Sequence, residues 1–150
     1  MMATALPDQP FLSDAAIERI TRGMLDCTLP KHEWTHAAHF AAALWLLREG
    51  YVQPVEGSMA PMIRAYNQAT GTSNTATSGY HETITLASLQ GAAAALAPAG
   101  GAPLQHVLAT LLAGALGQSR WPLEYWSQDV LMSVDARQSW VAPDLEPLPW

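Results

Sequence analysis

Apolar side chains recur at helical spacing along most of the chain. Ile17, Ile20 and Met24 predict a first helix, opened by Ser13 and Asp14 and running to about Cys27. Thr28-Leu29-Pro30 breaks it, and a second helix covers about residues 31–48 before Gly50. A third carries Met59, Met62, Ile63 and Tyr66, with Ser58 as its expected cap and Pro61 in its first turn. Residues 71–79 are small and polar with no apolar anchor, which predicts a mobile loop. The fourth helix is expected over residues 80–97 with Ser78 as cap. The fifth runs from Pro103 along a stripe of Leu104, Val107, Leu108, Leu111, Leu112 and Ala115. Beyond Gly117 the pattern shortens to helices near residues 122–126, 128–132 and 133–140, then a Pro-rich tail whose Leu and Trp residues should lie against the body. No stretch alternates with period two and no repeat is visible. The reading is one all-α domain over residues 1–150. It is a helical bundle of about five main helices plus short C-terminal ones, with residues 1–11 and 141–150 as irregular arms.

Composition adds limits to this picture. At 150 residues the chain can bury one core. With 49% apolar and 13% charged residues it is not a disordered chain. A net charge of −6, with seven scattered Lys and Arg, argues against a nucleic-acid or anionic-membrane partner. The first residues do not read as a signal peptide, and Cys27 is the one cysteine, so a reducing, cytoplasmic setting is expected. Residues 83–119 carry no Asp, Glu, Lys or Arg, but Pro98, Gly100, Gly101 and Pro103 divide them into halves of about 15 residues, too short to span a bilayer. They predict a centrally packed helical hairpin. An apolar outer face on it would suit a second copy of the chain, so a homodimer is an expected partner.

The candidate chemistry lies in two short stretches. In His32-Glu33-Trp34-Thr35-His36-Ala37-Ala38-His39, continuous helix would put His36 at about +40° and His39 at about −20° from His32. Ala43, Leu46 and Leu47 continue that stripe, so the histidines would extend a buried face. In Tyr80-His81-Glu82-Thr83-Ile84-Thr85, polar groups again adjoin apolar surface. A buried imidazole or carboxylate must be paired, hydrogen-bonded or metal-bound. Imidazole and carboxylate are ligands for Zn²⁺ and Fe²⁺, and facing helices often build such sites. The expected metal set is His36, His39, His81 and Glu82, holding Zn, Fe or Mn, with His32 the least secure member. Glu82 or His81 would serve as catalytic base, and Trp34, Tyr80 and Thr85 would line a small-molecule site with residues 71–79 as its movable edge. Hydrolysis and oxygenation both fit such a centre. The alternative is a non-catalytic binding or interaction protein whose His/Glu cluster, with Trp34 and Tyr80, is a buried structural hydrogen-bond network.

Trp34-Thr35-His36-Ala37-Ala38-His39 and Tyr80-His81-Glu82-Thr83 resemble the motifs of a family of small bacterial all-α proteins of unassigned function, which pair a W/F-T-H-x-x-H helix with a later Y-H-E-T helix. Tyr125-Trp126-Ser127, residues 131–140 and Pro143-Asp144-Leu145 are similar to that family's ending. The resemblance implies that His36, His39, His81 and Glu82 act together. It brings no reaction with it.

Overall fold

The computed structural model describes Phe11 and residues 13–150. Most of the expected N-terminal arm lies outside the described residues. Among those described there are seven α-helices and no strand: α1 Asp14–Leu25, α2 His36–Arg48, α3 Ala60–Ala69, α4 Glu82–Leu96, α5 Leu104–Ala113, α6 Gln128–Leu131 and α7 Val134–Gln138. No helix among them is long and apolar enough to cross a membrane.

The centre is α2. Every side chain from Phe40 through Leu46 is buried, and so is Ala38. A helix that is apolar all round must be covered all round, and α1, α4 and α5 pack against it. Ala41, Ala42 and Ala43 keep its girth small where these neighbours approach. The 83–119 hairpin forms as α4 and α5, but it flanks the core instead of occupying its middle. Each of the two packs on α2, and Ala94, Ala109 and Ala113 face outward. The first helix contributes Ile17, Ile20 and Met24, all essentially inaccessible. Removing each such side chain from water is worth about 1.5–3 kcal/mol.

Long-range polar contacts fix the helix ends. Asp14, read from sequence as a first-turn acid, also caps α5. Its carboxylate accepts the N–H groups of Leu104 at 3.1 Å and Gln105 at 2.8 Å, where Pro103 offers no side-chain cap of its own. Arg48, in the last turn of α2, donates to the carbonyls of Ala102 at 2.6 Å and Gly100 at 3.2 Å, tying down the α4–α5 turn.

Two expected caps are not caps. Ser58 Oγ accepts the Gln53 N–H at 2.9 Å, and α3 starts at Ala60 without a side-chain cap. Ser78 Oγ donates to the Ser73 carbonyl at 3.1 Å inside its own loop. Nor is that loop without anchors. Asn74 Oδ1 accepts from Tyr80 N–H at 3.1 Å and Asn67 Nδ2 at 3.0 Å, while its own amide donates to the Arg64 carbonyl at 3.1 Å. Gly79, at φ +79°, closes the turn, and a Cβ there would lie 2.4 Å from the Ser73 carbonyl oxygen. One polar side chain thus replaces the missing hydrophobic anchor.

From residue 115 onward the chain is a run of short helices and turns ending in a strap, residues 140–150, laid across α4. Gly91 makes room for it: a Cβ at that position would come 3.1 Å from the Trp150 ring and 3.0 Å from Leu116. The strap's expected position against the body is therefore observed.

Asp14→Ala is expected to lower stability by about 1 kcal/mol through loss of a helix cap. The measurement is a urea midpoint, with Asp14→Asn retaining most of the wild-type value.

Candidate functional site

The stripe of three histidines does not form. Pro30 opens a single 3-10 turn, Lys31–Glu33, and Thr35 then caps α2, its hydroxyl accepting the Ala38 N–H at 3.2 Å. His32 and Trp34 precede the helix, and His32 is exposed. A cap residue immediately before the apolar run was the sequence signal for this start.

The remaining pair, His36 and His39, turn to different neighbours. His36 Nε2–H donates to the Leu116 carbonyl at 2.8 Å, and its ring meets Phe40 edge-on at 5.4 Å. His39 Nδ1–H donates back to the Thr35 carbonyl at 2.6 Å. Its ring lies tilted by 33° against Trp34 at 4.0 Å, and Trp34 in turn meets Tyr66 edge-on at 5.5 Å. Desolvation among these neighbours lowers the His39 pKa, against the pull of the Thr35 bond. The residue is nevertheless exposed, and water at its open side limits that effect.

The second stretch is assembled more tightly. His81 is not within α4; it is the cap of α4. Its Nδ1 accepts the Ile84 N–H at 3.2 Å and its Nε2–H donates to the Leu131 carbonyl at 2.7 Å. These partners assign one neutral tautomer. Burial lowers the His81 pKa, and Arg137 nearby adds to the effect, against the opposite pull of the Leu131 bond and of Glu82.

Glu82, 4% exposed, opens the helix, where the dipole favours an anion. Its Oε1 accepts the Tyr80 hydroxyl at 2.7 Å and its Oε2 accepts the Gly57 N–H at 2.8 Å. Burial and the adjacent carboxylate hold the Tyr80 phenol well above its usual pKa, so it stays a donor. The Arg64 guanidinium lies over the Tyr80 ring at 5.2 Å, and Thr85 lies beside the Tyr80 hydroxyl.

Two residues not singled out from sequence belong to this cluster. Thr83 Oγ donates to the Ser139 carbonyl at 2.8 Å and accepts the Val141 N–H at 3.1 Å. Arg137 Nη1 donates to the Gly79 carbonyl at 3.0 Å. The signal for Thr83 was its place in an apolar run, where a buried hydroxyl needs a partner.

The structure therefore brings Tyr80, His81, Glu82 and Thr85 together and leaves His36, His39 and Trp34 elsewhere on α2 and its approach. The expected histidine cluster is not assembled. Among the described residues no three His, Cys, Asp or Glu side chains group in a way that could hold a metal ion. The helix start at His36 and the cap at His81 are the physical reasons: each moves a supposed helix-face residue off its face. Comparison with family models, with curated proteins and with solved structures finds no match to this chain. Its function must be argued from these contacts.

Because the folded His81 pKa lies below the unfolded value of about 6.5, the unfolded chain takes up the proton first on acidification. Stability from this group is complete above that value and declines as pH falls through it toward the folded pKa. Denaturant midpoints between pH 7.5 and 5 should show the decline. His81→Asn keeps an acceptor for the Ile84 N–H, so it should flatten the decline while costing about 1–2 kcal/mol at pH 7.5. An unchanged profile would assign the decline to another group.

Proposed function

We propose that the protein is a non-catalytic helical binding protein, in which Tyr80, His81, Glu82 and Thr83, with His36 apart from them, serve as structural hydrogen-bonding groups. The observation that carries this reading is one of saturation. Both ring nitrogens of His81 and both carboxylate oxygens of Glu82 end on groups of this same chain. A base or ligand needs a free lone pair directed at its target. His81 Nδ1 has its single lone pair on the Ile84 N–H, its Nε2 carries the proton given to Leu131, and each Glu82 oxygen is buried and already held by a donor of the chain. The partners lie far away in sequence, on residues 57 and 131 as well as on the local turn, so the cluster joins segments that would otherwise touch only through apolar contacts. The cytoplasm stays the expected compartment, because the single Cys27 has no second cysteine with which to close an internal disulfide.

One observation favours the metal-dependent alternative. His36 and His39 each anchor one ring N–H on a backbone carbonyl, leaving Nδ1 of His36 and Nε2 of His39 as acceptors, as metal-ligating histidines commonly do. Under that reading His81 and Glu82 would have to exchange their present partners for Zn, Fe or Mn.

Protein purified without chelator or nickel affinity is expected to contain no stoichiometric Zn, Fe or Mn and to gain no thermal stability when they are added. In that metal-free protein Glu82→Gln should lower stability by about 1–3 kcal/mol, because one buried donor is left facing an amide N–H. Stoichiometric metal that disappears in His36→Ala or His81→Ala would overturn the proposal.

A further inference from the structure

The strap and α4 line an open, shallow groove of about 490 Å³ that takes no part in the polar cluster. Its volume falls within the usual range for small-molecule sites. Trp140 and Trp150 line it from the strap, Gln90 from α4, and the carboxylate residues Asp144 and Glu146 stand on its wall. The lining contains no Lys, Arg or His. Among the described residues the ion pairs are Arg19–Glu33 and Arg22–Glu18, so neither groove carboxylate has a cationic partner.

The groove is held in shape before any ligand arrives. Asp144 Oδ1 accepts the Ser127 N–H at 2.8 Å, which also keeps its carboxyl below the ordinary range and therefore ionised. The Leu145 N–H is held by the Tyr125 carbonyl at 2.9 Å. Trp140 meets Trp126 at 5.9 Å and an interplanar angle of 88°. Trp150 rests on Gly91 and 5.8 Å from Trp121. Aromatic rings fixed by packing lose little entropy when a ligand settles on them.

The chemistry of this lining selects among ligands. Two carboxylates and a net charge of −6 repel an anion. A bare metal ion would need converging oxygen or nitrogen ligands, and none group here. A neutral apolar body would use the indoles and leave the carboxylates unused. A cation with a weakly hydrated, apolar surface uses both, because indole attracts a cation electrostatically and a quaternary ammonium sheds little water in reaching it.

We propose that this groove binds a small organic cation of the quaternary-ammonium type, with Trp140 and Trp150 contacting its methyl groups and Glu146 and Asp144 supplying the counter-charge. The proposal rests on the binding-protein reading above and gives it a site and a ligand class.

The test is calorimetric titration of the full chain with choline chloride at low ionic strength, with sodium chloride and the neutral isostere 3,3-dimethylbutan-1-ol as controls. Saturable choline binding is expected, with the isostere weaker by about fivefold or more. Glu146→Gln, an exposed change that leaves the fold untouched, and Trp140→Ala, checked by circular dichroism, should each weaken choline by about fivefold. The proposal is overturned if the isostere binds as well as choline, if both variants bind like wild type, or if choline does not saturate. Such a failure would remove the groove alone. The wider reading fails separately, on the metal content of the same preparation.

Discussion

The structure depends on supplying hydrogen bonds to chain that is packed against helices without being regular itself. From residue 115 to residue 150 the longest helix has five residues, so this quarter of the protein cannot satisfy its backbone by laddering. Unpaired carbonyls pressed onto an apolar helix would each cost free energy comparable to a lost hydrogen bond. Side chains from the regular helices meet the need instead. His36 reaches the Leu116 carbonyl, His81 the Leu131 carbonyl and Thr83 the Ser139 carbonyl. Trp126, within the irregular part, reaches Val141. These contacts step along the C-terminal segment in order. The polar groups on α2 and α4 thus act as anchor points for a covering segment, which packs chiefly on α4.

This explains why the polar residues were legible in the sequence while the groups that meet them were not. A polar side chain within an apolar run announces that something must meet it, and His36, His81, Glu82 and Tyr80 were legible on that ground. What meets them was not legible, because the partners are backbone carbonyls and N–H groups, which every residue carries and no motif marks. The offset from His81 to Leu131 is fifty residues, with nothing at Leu131 to signal it. The helices themselves were readable, since periodicity in α1, α4 and α5 reports a buried face directly. The errors fell at helix starts. Thr35 and His81 take the cap positions, where a residue belongs to the turn and not to the stripe, and the angular arithmetic that joined His32 to His39 assumed helix from about residue 31, five residues before α2 begins at His36.

Histidine has a physical advantage over other residues at position 81. The cap of α4 needs an acceptor for the Ile84 N–H, and the Leu131 carbonyl needs a donor on the same side chain. Neutral imidazole offers one of each on opposite edges of a rigid ring. A carboxylate would supply the first and repel the second, and a lysine the reverse. The same requirement forbids the imidazolium, whose two N–H groups would place a donor against the Ile84 donor. Burial lowers the pKa of His81 in the direction this arrangement demands, so the electrostatics and the hydrogen-bond geometry agree.

The polar groups of the protein therefore fall into two kinds. At His81 and Glu82 they are closed, each polar atom answered by another atom of the chain, while Arg137 Nε beside them stays buried without a hydrogen-bond partner. On the strap, Asp144 is partly answered by the Ser127 N–H, but Glu146 is open: it lies exposed without an ion-pair partner among the described residues, near indole rings packed against the body. Stability calls for the first kind and gains little from the second, since an unpaired surface carboxylate adds nothing to the fold and two of them near each other repel. The closed cluster makes the open groove possible, because the carbonyls it satisfies belong to the segment that carries the strap. Loss of an anchor at Thr83 or His81 would loosen the strap before it disturbed the core around α2, and binding in the groove would respond first.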